Sequence, residues 1–330
     1  MIDAMRMFKK KSNPAKHPLL AKMRALQVEV SNNCNLSCSI CWRALRKEKR
    51  AVSYVSRQQF QKVLDEFSAL LPLKELNAQG LGEPFLCPDI IEILKQAKAK
   101  GLIAWLVSNG TLIDEFVAGA LVDMGLDKIR ISIDTADAQL YRNIKVNSDL
   151  KRVRENVSRI SRAKQNANKN TPVIALNTVV LKRTLPGISQ LIDLSGQCGI
   201  EEITLIPLVN FSRGLAVPEE QVDFTSGEFQ AKFAALKGEA QTKHIELNLG
   251  ISLETKDSKY CHYGLYMDAS GSVYPCCNMP GVGLGNIFKQ KASAVVKKYI
   301  IFRNWLDRQE INCSSCASAV ANAGLFGKWI

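Results

Sequence analysis

The 330 residues carry a formal net charge of +13, with 46% hydrophobic and 23% charged side chains. No apolar run approaches the roughly 18 to 20 residues of a membrane-spanning helix, so such a span is excluded, while the length allows a large core in a main domain plus a smaller one. The start of the chain lacks the apolar stretch and cleavage site of a secretory signal, so a cytoplasmic protein is expected, whose ten cysteines serve metal ligation more readily than disulfides.

In chain order, residues 1–24 form a basic N-terminal segment, with Lys9, Lys10, Lys11, Lys16, Lys22 and Arg24 crowded together. A second basic group, Arg43, Arg46, Lys47, Lys49 and Arg50, follows a cysteine loop. Such a field steers anions: a phosphorylated or nucleotide-linked substrate, an acidic peptide or a flavodoxin-like electron donor. Nucleic acid is disfavoured, because no reading motif and no stacking aromatics accompany the charge.

The first predicted strand, Leu26 to Val30, runs into Ser31-Asn32-Asn33-Cys34-Asn35-Leu36-Ser37-Cys38-Ser39-Ile40-Cys41-Trp42-Arg43. Spacings of four and three also fit one helix face, but the Asn and Ser residues compete with a helical backbone for hydrogen bonds. A closed zinc site wants four ligands, and no further Cys or His occurs between Cys41 and Cys87. Three thiolates this close suit three irons of a cubane cluster, leaving the fourth iron open for chemistry.

This Cys-x3-Cys-x2-Cys loop after a first strand resembles that of the radical S-adenosylmethionine (radical SAM) enzymes. The resemblance implies that Cys34, Cys38 and Cys41 hold a [4Fe-4S] cluster whose open iron chelates S-adenosylmethionine, and that one electron cleaves the cofactor to a 5'-deoxyadenosyl radical. Ile40 stands where the family usually has an aromatic residue before the last cysteine.

Further strands are predicted at Glu75 to Ala78, Ala104 to Val107, Lys128 to Ile133, Val173 to Val180 and Glu202 to Ile206. Helices are predicted at Ser56 to Leu70, Asp89 to Lys100, Ile113 to Met124, Leu150 to Ala167 and Ile188 to Cys198. Six such rounds make an α/β fold, a partial (β/α)6 TIM-like barrel over residues 25–215, with chemistry at the carboxyl ends of its strands.

Those ends carry the remaining motifs. Gly80-Leu81-Gly82-Glu83-Pro84 resembles the family's Gly-Gly-Glu-Pro element, which implies that Gly82 and Glu83 bind the methionine amino group; alone it reads as a turn. Ser108 and Asn109, in Ser108-Asn109-Gly110-Thr111, resemble an element placed against the ribose or carboxylate, although Asn-Gly alone is only a turn signal. Ser132 and Asp134 share one face of the fourth strand, and the resemblance makes Ser132 the better cofactor contact, since Asp134 also suits a cap. The sixth strand, ending at Leu208, is expected to offer apolar contacts to the adenine. Cys198 and His244 read as core residues, and Cys87 as one near the mouth.

Residues 216–258 read as a connecting helix and strand, and residues 259–330 as a small second domain. There Cys261 and Cys276 flank a predicted hairpin turning at Asp268 to Gly271, and Cys313 and Cys316 follow a helix predicted at Ala292 to Leu306. By spacing alone these four cysteines suit zinc or a fully ligated cluster. Cys-x9-Gly-x4-Cys with a later Cys-x2-Cys resembles the SPASM and twitch extensions, which implies one auxiliary [4Fe-4S] cluster on Cys261, Cys276, Cys313 and Cys316. Cys277 is left as a packed neighbour, a hydrogen-atom donor, or the ligand in place of Cys276.

The resemblance implies a radical SAM oxidoreductase, supplied with electrons by a reductase or a flavodoxin or ferredoxin. A basic mouth and a short N-terminal segment suit oxidation or epimerisation of a small polar, anionic metabolite: a sugar, an aminocyclitol or a nucleotide-linked intermediate. Modification of a ribosomally made peptide is the second reading, and a non-enzymatic protein with two zinc sites the remote one.

Overall fold

The computed structural model describes residues 17–45, 51–208, 217–250, 264–277, 279 and 282–308. Its ten strands are β1 Ala25–Val28, β2 Glu75–Ala78, β3 Ile103–Ser108, β4 Lys128–Ser132, β5 Val173–Val180, β6 Glu202–Pro207, β7 Glu246–Leu249, β8 Gly264–Met267, β9 Ser272–Tyr274 and β10 Gly285–Asn286. The helices are α1 Trp42–Leu45, α2 Arg57–Ser68, α3 Ile90–Ala99, α4 Glu115–Asp123, α5 Ala138–Ile144, α6 Leu150–Asn166, α7 Ile188–Cys198, α8 Gly227–Thr242 and α9 Ala292–Arg308.

Local chemistry explains the boundaries. Ser56 and Gln59 form a reciprocal capping box at the start of α2, and the Asp114, Asp137 and Asp149 side chains cap α4, α5 and α6. The helix α7 stops at Gly199, whose φ of +72° is open to glycine at little steric cost. Alternate strand residues, among them Leu26, Val28, Leu76, Ala78, Ile129, Ile131, Ile203 and Leu205, are buried in the main core. Their neighbours Gln27, Asn77, Trp105, Arg130, Asn177 and Thr204 are only half-buried and take the other side of the pleat.

The strand order is β10-β9-β8-β1-β2-β3-β4-β5-β6-β7. All six predicted strands lie in it, parallel and in sequence order. Both edges are longer than the sequence reading expects, because β7 adds parallel to β6 and β8 adds parallel to β1. One sheet therefore runs across the boundaries drawn after residues 215 and 258. Its β7 and β10 edges stay apart, so the barrel remains open despite eight parallel strands.

The hairpin of β8 and β9 turns at Asp268 to Gly271, as its composition predicts, with Asp268 Oδ1 accepting from the amides of Ser270 and Ser272. Gly271 has φ +83°, and a Cβ there would lie 2.4 Å from the Phe288 ring. Among the described residues no helix is long and apolar enough to cross a membrane.

Candidate iron-sulfur site at the carboxyl ends of the strands

The loop after β1 is held by its own polar residues. Asn33 Oδ1 accepts from the Cys34 amide at 3.0 Å, and the Arg43 guanidinium donates to the carbonyls of Asn32 and Leu36, both at 3.3 Å. The Asn32 side chain joins in, donating to Ala51 O and accepting from the Ser53 amide, both at 2.8 Å, and Cys34, Cys38 and Cys41 are left half-buried at the mouth.

The three thiols influence one another electrostatically. Burial pushes the Cys34 thiol up and the Cys38 thiol up to about 11, against a weaker opposing pull from Lys145 on Cys38. Among the described residues no three Cys, His, Asp or Glu side chains converge tightly enough for a single metal ion. Three thiolates carried on one short loop suit instead the separate irons of a cluster. Donors already point at sulfur: the Leu36 amide stands 3.5 Å and Asn109 Nδ2 3.8 Å from Cys34 Sγ. Hydrogen bonds of this kind tune iron-sulfur clusters.

The β2 and β3 ends lock onto the loop. Gly82 passes so close that a Cβ there would lie 1.9 Å from the Ser31 carbonyl oxygen, and the Glu83 amide donates to Asn33 O at 2.7 Å. Glu83 itself turns inward: Oε1 accepts from Ser108 Oγ at 2.7 Å and from the Phe85 amide at 3.2 Å, and Oε2 accepts from the Asn109 amide at 2.8 Å. Burial raises its carboxyl from 4.5 to about 7. Glu83 and Ser108 are thus buried braces between loops. The Asn109 side chain also reaches the cysteine loop, donating to Asn35 Oδ1 at 2.9 Å as well as towards Cys34. Gly110, at φ +76°, makes the turn that Asn-Gly predicts.

On β4, Ser132 is half-buried and accepts from Lys145 Nζ at 2.8 Å. Asp134 is fully buried; Oδ1 accepts from the Val179 amide at 2.9 Å, and Oδ2 stands 2.9 Å from Lys145 Nζ. Lys145 directly follows α5, a seven-residue helix too short to stand out by apolar periodicity. The signal was there: Asp137 as a cap, then Tyr141 and Ile144 at helical spacing, both buried.

Ile40 packs with Ile144, Leu181 and Leu208 in a second apolar cluster, which joins the cysteine loop to the end of β6. Cys87 is buried and donates to Val55 O at 3.4 Å. At the other side of β1, buried Glu29 accepts from the Leu81 amide at 2.8 Å and takes a hydrogen bond from Tyr266 on β8. Cys276 packs against the main core, and Cys277 lies within electrostatic reach of Tyr266. Cys261, Cys313 and Cys316 lie outside the described residues.

Two family models match the chain: the radical SAM superfamily over residues 28–183 and an iron-sulfur cluster-binding domain, SPASM, over residues 261–317. An AdoMet-dependent heme synthase of Methanosarcina barkeri is 24% identical over 327 residues, covering 91% of this chain and 90% of that protein. A probable GTP 3',8-cyclase of Methanopyrus kandleri is 32% identical over 123 residues, 37% of this chain and 38% of that protein. The fold is shared with Streptococcus suis SuiB bound to S-adenosylmethionine, at TM-score 0.64 and 15% identity over 83% of this chain and 65% of that one. It is shared too with anSMEcpe bound to AdoMet and the Cp18Cys peptide, at TM-score 0.63 and 16% identity over 84% and 81% of the two chains.

Proposed function

We propose, given that this chain belongs to the radical SAM superfamily and ends in an iron-sulfur cluster-binding domain of the SPASM kind, that it oxidises or epimerises a small polar metabolite. When bound, the family's [4Fe-4S] cluster and S-adenosylmethionine supply reductive cleavage of the cofactor and abstraction of a hydrogen atom from substrate, and the C-terminal domain's auxiliary clusters pass electrons. Cys34, Cys38 and Cys41 are the proposed ligands of the first cluster. Asn109 orients the loop through Cys34 and Asn35, Gly82 lets that loop pass, and Glu83 and Ser108 brace it from beneath. Ser132 is the proposed polar contact to the cofactor, with Asp134 acting through Lys145. One auxiliary cluster is assigned to Cys261, Cys276, Cys313 and Cys316, and Cys277 to hydrogen donation or to ligation in place of Cys276.

The observation that carries the substrate reading is the polar side of the sheet beneath the mouth. Arg130, midway along β4, stands over the Trp105 ring at 5.6 Å and donates to Asn177 Oδ1 at 3.3 Å and Thr204 Oγ1 at 2.8 Å. A surface of fixed charges and amides suits a hydroxylated or anionic small molecule better than an apolar one. The match along nearly the whole length of a heme synthase, and a shorter one to GTP cyclases, support small-molecule chemistry. The peptide-bound anSMEcpe structure supports the second reading, peptide modification, only through a shared fold.

The test is anaerobic turnover. The reconstituted protein is expected to be brown and to form 5'-deoxyadenosine on reduction, and replacing Cys34, Cys38 and Cys41 together by Ala is expected to abolish that product. A colourless protein holding zinc sinks the proposal at its root. With a panel of sugars, aminocyclitols, nucleotides and peptides, a crosslinked or epimerised peptide sinks the small-molecule assignment alone.

A further inference from the structure

We propose that Lys145 is a positioning residue of the cluster site: a buried, immobilised cation clamped against the middle of the cysteine loop, which raises the reduction potential of a cluster held by Cys34, Cys38 and Cys41. The proposal rests on the reading of those three cysteines as cluster ligands.

The geometry has three parts. The Ser37 amide donates to Val146 O at 3.2 Å and the Ser39 amide to Ile144 O at 2.9 Å. The amides on both sides of Cys38 are thereby tied to the carbonyls on both sides of Lys145, and the two backbones cannot separate without breaking the seam. Second, the Lys145 side chain, 7% exposed, has its ammonium fixed at 2.8 Å from Ser132 Oγ and 2.9 Å from Asp134 Oδ2. Third, Asp134 is fully buried and itself held by the Val179 amide, so the ion pair is anchored in β5 and is not a swinging surface contact.

The charges facing Lys145 are few. Asp134, Cys38 and Tyr141 are the titratable groups that act on it; burial alone would lower its basicity, and Asp134 foremost among them raises it above the usual lysine value. The cysteine loop is bonded on both sides of Cys38 to the segment that carries Lys145, whereas Asp134 is bonded to the Val179 amide of β5, so the cation is the member of the pair that the loop holds. Burying an ion pair is costly and is weak support for stability as its purpose. A cation buried beside the ligand loop has an electrostatic consequence instead: reduction adds a negative charge to the cluster, and the nearby ammonium stabilises that state. Because the pair is out of solvent, salt screens it little.

The experiment is a redox titration of the anaerobically reconstituted full chain, followed by the electron paramagnetic resonance signal that changes when S-adenosylmethionine is added. Lys145→Met is expected to cut the reduced-to-oxidised ratio at fixed poise about tenfold, a fall of ~59 mV for a one-electron couple, with Lys145→Arg returning it towards the parent value. The variant carrying Asp134→Asn with Lys145→Met leaves no unpaired buried carboxylate and is expected to fall in the same direction by less. An unchanged potential in either Met variant at full iron content overturns the proposal, whatever happens to cofactor affinity. Failure of the underlying reading looks different: the cofactor-sensitive signal then survives replacement of Cys34, Cys38 and Cys41.

Discussion

At the scale of single residues, the mouth is built from side chains that act on their neighbours before they act on any ligand. Glu83 shows this best, since three donors and complete burial make it a brace between the β2 and β3 loops. Its carboxyl is raised from 4.5 to about 7 by burial, so between those values the folded chain binds a proton that the unfolded chain releases. Stability should accordingly decline as pH rises from about 4.5 to about 7, with no further loss from this group above that. Urea unfolding across that range checks the slope, which Glu83→Gln is expected to flatten; an equal slope in the variant would assign it elsewhere. The motif Gly-Leu-Gly-Glu-Pro is legible as a string, but not the inward turn of its acid. That turn depends on Ser108 and Asn109, which arrive from another strand.

At the scale of elements, β8 decides how the C-terminal region relates to the rest. It pairs with β1 in register from Ala25↔Gly264 to Val28↔Met267, and the Glu29 amide extends the contact to Met267 O at 2.8 Å. Met267 is fully buried at this junction. Met267→Ala is expected to cost about 2–5 kcal/mol and to speed amide exchange along β1 as well as in the hairpin. Unchanged exchange from Leu26 to Glu29 would mean that the hairpin opens as a separate unit. The hairpin itself is readable from Asp268, Gly271 and the strand-forming residues around them. Its docking is not, because parallel pairing with a strand more than two hundred residues earlier leaves no local pattern. The helix α5 is the converse case: its cap and spacing are present, but seven residues make a short periodic signal.

At the scale of the whole molecule, a net charge of +13 favours encounter with an acidic partner. If the electron donor is an acidic flavodoxin or ferredoxin, its rate of reducing the chain should fall several-fold between about 20 and about 200 mM salt, whereas photoreduction by an uncharged dye should change little. Stopped-flow absorbance of the cluster measures both, and equal salt dependence would remove steering from the account. The sequence by itself determined the order of the six central strands and of the five long helices among them, and the three-cysteine loop, because apolar periodicity, caps and short cysteine spacings are local properties of a chain. Only the tertiary structure decided that β7 and β8 extend both edges of the sheet, that Glu83 and Asp134 face inward, and that the segment carrying Lys145 is bonded to the amides on both sides of Cys38. Those outcomes depend on which distant groups can satisfy a buried charge or a bare strand edge, and that is settled only when the chain closes on itself.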